Sequence, residues 1–264
     1  MALESLYFGP FIVFTLVLAR VSGLMLTAPF LMSAEVPMQV RGFLTVAIAV
    51  LLTPTQLGAP VAYPTDLVAH VILIGTELLL GMILGAGVMI LLAGVQITGQ
   101  LISQLSGMSL ADVFNPGFDS EVPLVAHLMY LTTLAVFLLI DGHRYLMAGL
   151  LGTFQTITLG GGRLPETISE TVTALLSESF ALGIRAAAPA MVALLLATVL
   201  LGLISRTIPQ INVMVVGFGV NSLITLGMIA ISLGSMVYVF QEAFEPAIDT
   251  VVQTLEQAAA TTVP

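Results

Sequence analysis

Residues 77–112 read ELLLGMILGAGVMILLAGVQITGQLISQLSGMSLAD, and nothing between Glu77 and Asp112 carries a formal charge. A second charge-free stretch runs from Arg206 to Glu242. In a helix, which rises about 1.5 Å per residue, each would extend to roughly 50 Å, against about 30 Å of bilayer hydrocarbon. Lipid cannot cover either stretch end to end, so protein must cover part of both.

Composition sets the class in which those stretches sit. With 58% hydrophobic residues, 8% charged residues and a mean hydropathy of +1.11, the chain has more apolar surface than a soluble interior could hide. Strands of an outer-membrane barrel would alternate apolar and polar residues, whereas a run such as Met191 to Leu203 is apolar all round. The fold expected is an all-α membrane protein. The opening Met-Ala-Leu-Glu, with no positive charge before Arg20, does not fit a cleavable signal peptide, so insertion is expected to use the first hydrophobic segment. The absence of cysteine excludes disulfides and thiolate chemistry, and a net charge of -9 disfavours nucleic acid. Trp and Lys are absent too, which leaves a thin aromatic belt of five tyrosines. Arg20 and Arg185 fall inside apolar segments, where a lipid-facing charge costs several kcal/mol, so both are expected to face protein or a wet cavity.

About seven hydrophobic helical segments follow from the pattern, some longer than a bilayer span. They are Leu6–Leu31, Val40–Leu52, Thr65–Ser106, Leu124–Ile140, His143–Leu159, Pro165–Ser205 and Ile211–Phe244. The third should need a break or an extramembrane extension, with Gly81, Gly85, Gly87, Gly94 and Gly99 as places for one. Pro189 should kink the sixth. Gly107 to Pro123, GMSLADVFNPGFDSEVP, is the one long polar interruption in the middle of the chain. The acidic, then small and polar, tail after Glu245 is expected to fray. No strong internal repeat is visible, which weakens a secondary-transporter reading.

Several residues invite chemistry, each with a plainer alternative. Glu77 shares a helix face with Gly81 and Gly85, so it is either a proton relay or a hydrogen-bonded helix contact. Gln96, Gln100, Ser103 and Gln104 are spaced as a helical stripe suited to a wet lumen or an intersubunit ladder. Asp141, His143 and Arg144 read first as a cap with an interfacial charge pair. His70 and His127 have no second ligand at helical spacing, so no metal site is expected. Gly107-Met108-Ser109-Leu110 matches the GxSx of an intramembrane serine protease only superficially, with His143 as its nominal base. Phe114 and Phe118 are either loop anchors or a hydrophobic constriction. Neither an enzyme nor a cofactor is indicated.

Taken in order, Arg20-x-x-Gly23 with Pro29, Pro37 with Arg41, Glu77-x3-Gly81, Asn115-Pro116-Gly117, Asp141-Gly142-His143, Arg185-x3-Pro189 and Arg206-x2-Pro209-Gln210-x-Asn212 resemble the FliR family of flagellar export-gate proteins, with its relatives in virulence-type injectisomes. The resemblance covers nearly the whole chain up to about Phe244. Asn115 departs from it, since an acidic residue is expected before that proline. The resemblance implies a helical hetero-oligomeric export-gate assembly with FliP-like and FliQ-like subunits, an FlhB-like subunit near the cytoplasmic entrance, and unfolded flagellar proteins as cargo. Residues 1–176 would be FliP-like, 177–244 a FliQ-like hairpin and 245–264 the tail. It further implies a multi-pass protein of the bacterial inner membrane, in contact with lipid, within the flagellar basal body. Gly107, Leu110, Val113, Phe114, Asn115, Pro116 and Gly117, within 107–123, would form a pore plug. Arg20, Glu77, Gln100, Asp141, His143, Arg185, Arg206, Gln210 and Asn212 would be buried polar groups or subunit contacts. The competing readings are an injectisome subunit and a proton-coupled small-solute transporter using Glu77 and Asp141.

Overall fold

Helix breakers in this sequence mark where helices start and stop. Pro29 follows the end of α1 (Ala2–Thr27), Pro37 immediately precedes α2 (Met38–Gln56), and Pro123 precedes α4 (Leu124–Leu139). A computed structural model describes residues 2–31, 36–58, 61, 66–108, 123–161, 167–208, 210 and 213–260. The other helices among them are α3 (Leu67–Ser106), α5 (Gly142–Thr156), α6 (Ile168–Thr207) and α7 (Val213–Ala260). At the start of α3 the Asp66 carboxylate accepts the Ala69 N–H at 2.7 Å, supplying a cap. Gly107 at its end takes φ +77°, a left-handed conformation suited to glycine at a helix C-terminus.

The overlong helices expected from the segment pattern are present. Helices α3 and α6 have 40 residues each and α7 has 48. At about 1.5 Å per residue that is roughly 60 to 70 Å, twice the hydrocarbon thickness. Gly9–Thr27 of α1, together with α2, α3 and α6, is long and apolar enough to cross a membrane, which makes this a multi-pass membrane chain.

The expectation of a frayed tail is corrected here, and the choice left open for α3 is narrowed. Of the break or extramembrane extension expected in α3, the helix shows no break, and the glycines offered as places for one are places of contact. The segment after Glu245 does not fray up to Ala260. It continues α7 with Phe244, Ala247, Ile248, Val251 and Leu255 buried. Pro189 lies inside the continuous 40 residues of α6.

The chain divides into two units, and α3, α6 and α7 contribute to both. Unit 1 comprises residues up to Met89, Asp141–Leu175 and Phe244 onward. In it α1 and α3 lie side by side and run in the same direction, with Thr15 beside His70, Arg20 beside Glu77 and Thr27 beside Met82. Glycines let the two backbones meet. A Cβ at Gly23 would stand 2.1 Å from the Leu78 carbonyl oxygen, and one at Gly81 would stand 2.0 Å from that of Arg20.

Unit 2 comprises Ile90–Ile140 and Leu176–Ala243. Its core gathers Val95 and Ile102 of α3, Val125 and Met129 of α4, Ala186, Ala187, Ala190 and Leu194 of α6, and Ile229 of α7. Here too α3 and α6 touch through small residues. Gly94 faces Ser179, Gly183 faces Thr98 and Gly94, and the Ser179 hydroxyl donates to the Ile90 carbonyl. Close helix approach of this kind is how apolar helices gain contact when lipid is as apolar as their side chains.

Candidate functional site

Arg20 is the largest side chain that unit 1 buries completely. A guanidinium has five N–H donors and no acceptor, so burying one requires several acceptors from different directions. Its Nε donates to Glu77 Oε2 at 2.6 Å. Nη1 donates to the Thr153 carbonyl at 2.8 Å and reaches the Thr153 hydroxyl at 3.5 Å, and both Nη1 and Nη2 reach the Ile157 carbonyl at 3.4 Å. The Phe154 ring lies 4.5 Å from the guanidinium carbon, a cation–π contact. Glu77 is equally buried, and its second oxygen accepts the Gly160 N–H at 2.8 Å.

The sequence arranges this cluster locally. Helix α5 ends at Thr156, and Ile157 is extended at φ -111°, ψ 107°, so its carbonyl points away from any helical donor. Gly160, at φ +75°, turns the chain so that its amide meets Glu77. The pair therefore satisfies the end of α5 and the following turn while holding α1 to α3. Both Glu77 oxygens are engaged, an arrangement that fits the helix-contact reading rather than a relay.

A second locus lies in unit 2, where α3 gives way to the central interruption. The Ser106 hydroxyl donates to the Ser103 carbonyl at 3.0 Å and accepts the Met108 N–H at 3.3 Å. The half-buried Met108 packs on the unit 2 core beside Met191, Ile224 and Met228. The described chain thus enters the interruption from a fixed start. Of the residues expected to plug a pore, Gly107 is seen here as the helix cap. Leu110, Val113, Phe114, Asn115, Pro116 and Gly117 lie outside the described residues, as do Ser109 and Phe118.

Among the described residues the remaining expected polar residues form no single cluster, although Asp141 and Arg144 make the expected charge pair. Asp141 is exposed, takes φ +59° and pairs with Arg144 at 3.5 Å across side chains that are both solvent-facing. Half-buried His143 sets its ring edge-on to Phe30, at 6.4 Å between centroids. Gln96 and Gln100 are half-buried, Ser103 buried and Gln104 exposed. Arg185, Arg206 and Gln210 are exposed, and Asn212 lies outside the described residues. The expectation that Arg185 is covered is thus not met within this chain. It points outward from a helix with Pro189 one turn on.

Sequence reasoning missed Thr153, Ile157 and Gly160, the backbone half of the Arg20–Glu77 cluster. Their nearest signal in the sequence is the glycine run at 160–162, and nothing in it names a carboxylate 83 positions away.

The model of "Bacterial export proteins, family 1" matches residues 11–247. The flagellar biosynthetic protein FliR of Escherichia coli (strain K12) is 30% identical over 226 residues, spanning 86% of this chain and 83% of that one. FliR of Bacillus subtilis (strain 168) is 28% identical over 242 residues, 90% of this chain and 92% of the relative. FliR of Pectobacterium carotovorum is 27% identical over 257 residues and spans 94% of both. A match of this extent over an all-helical, multi-pass chain means that the protein belongs to family 1 of the bacterial export proteins, the FliR export-gate family.

Proposed function

We propose that the chain is a subunit of the flagellar type III protein export gate in the bacterial inner membrane, within the basal body, and forms part of the conduit through which unfolded flagellar proteins leave the cell. It joins FliP-like and FliQ-like subunits, with an FlhB-like subunit beside them, and is itself not a catalyst. Residues 1–176 are the FliP-like part and 177–244 the FliQ-like hairpin.

The observation that carries this reading is the outward face of the overlong helices. Along α6 the exposed apolar face runs from Val172, Leu176, Phe180 and Ile184 to Leu195, Val199 and Leu203, a rise of about 47 Å against about 30 Å of hydrocarbon. Lipid covers only part of such a face, and water would not tolerate the rest. Neighbouring subunits are the remaining cover, which supports an assembly, and the family match supports other gate subunits as its members.

The test is co-expression of this chain, tagged, with the P-type and Q-type subunits of the same genome, followed by native mass measurement of what copurifies in detergent. A discrete heteromeric species containing one copy of this chain is expected. A stable homo-oligomer that ignores both partners would overturn the proposal.

A further inference from the structure

The family match ends at residue 247, yet the helix does not end there and is not loose. Ile248, Val251 and Leu255 follow one another at spacings of three and four, so they share one helical face, and all three are buried. Three other elements of unit 1 receive that face. A Cβ on Gly87 of α3 would stand 2.8 Å from Val251 Cγ2. One on Gly149 of α5 would stand 3.5 Å from Val252 Cγ2 and 3.7 Å from Ile248 Cγ2. From α6, Leu175 reaches the same spot, and the Thr171 and Thr254 hydroxyls share a hydrogen bond of 3.0 Å. Just before this stretch the buried Phe244 meets the Tyr145 ring edge-on, and the Tyr145 hydroxyl donates to Glu245.

The opposite face is of another kind. Asp249, Thr250 and Gln253 are exposed. A helix with a narrow apolar stripe and a polar back gains its stability from the surface it lies on rather than from its own propensity. Glycines at 87 and 149 supply that surface, because their missing side chains form the floor of the groove that Val251 and Val252 fill.

We propose that residues 248–255, beyond the stretch the family model covers, form an intramolecular clasp. It lies in a groove between α3, α5 and α6 of unit 1 and holds those three helices in register. Without it the groove floor and the apolar stripe are both uncovered.

The chain has no cysteine, so an engineered pair reports on the clasp alone. In the full-length protein in detergent, Gly149→Cys with Val252→Cys should form an intramolecular disulfide on mild oxidation. Val251→Asp in that background places an unpaired charge in the groove and should slow linkage by about tenfold or more. Because that variant risks failing to fold, a gentler set decides the matter independently. Gly87→Ala drives a methyl into Val251 and should slow linkage, and Val251→Ala added to it should restore the rate by removing the clashing Cγ2. Absence of the disulfide in the otherwise intact chain, or linkage rates indifferent to Gly87→Ala, would overturn the proposal.

Discussion

Burying Arg20 and Glu77 withdraws two charges from water, at an effective penalty of several kcal/mol per ion that only a nearly full set of partners offsets. Arg20 has those partners in Glu77, Thr153, Ile157 and Phe154, and Glu77 has them in Arg20 and Gly160. Removing one side alone should therefore be the worst change. Glu77→Gln or Arg20→Met is expected to destabilise the chain by about 3–5 kcal/mol. Replacing both, as Arg20→Met with Glu77→Leu, removes the charges but strands the Ile157 carbonyl and the Gly160 amide, so it should recover only part of that loss. Unfolding of the three variants in one detergent checks this. A double variant as stable as the parent would mean that the turn finds other partners. That Arg20 needs protein around it was legible, since an arginine in an apolar run cannot face lipid. The same reasoning applied to Arg185 names no partner, and its exposure within one chain says nothing of what covers it in an assembly.

Helices pose a similar ambiguity. Glycine weakens a helix by about 1 kcal/mol relative to alanine, so glycines in a long helix read equally well as weak points or as contact points. Only the neighbouring helix decides, and in α3 it makes Gly81, Gly85, Gly94 and Gly99 contact points. The two kinds should behave oppositely on substitution. Gly81→Ala puts a methyl on the Arg20 backbone and must push α1 from α3, so loss of folded protein is expected. Gly227→Ala, with nothing within 4 Å, should stabilise the isolated chain by about 1 kcal/mol. If a partner helix approaches α7 there, as exposed Leu223, Leu226 and Ile231 imply, the same variant should copurify less with its partners. Thermal unfolding alone and yield of the heteromer together separate these outcomes, and unchanged yield would clear that face of close contact. The end of α7 shows the converse limit. Its acidic residues drew attention to a solvated tail, while the period of Phe244, Ala247, Ile248, Val251 and Leu255 was the stronger signal of a packed face.

At the scale of the whole molecule, the conduit proposed above, wide enough for an unfolded chain, must be closed to ions at rest, or it would dissipate the gradient across its membrane. Class and overlength were legible, the first from composition and the second from charge-free length. A seal is not, because it depends on what surrounds the residues that would form it. What the structure adds is the presentation at one end, with α3 capped at Gly107 and Met108 seated on the unit 2 core. The interruption beyond carries Leu110, Val113 and Phe114, apolar enough to dewet a constriction. Replacing all three by Gly should leave assembly intact and raise ion leakage in cells expressing the complete gate, read as faster collapse of an imposed proton gradient. Met108→Ala loosens the seat but keeps the apolar residues, so it should leak less than the triple variant. The ranking matters more than either value, since a nonspecific loss of folding would lower the amount of assembled gate in both. Unchanged conductance in the triple variant, with assembly confirmed, would remove the seal from this segment and require another subunit to supply it.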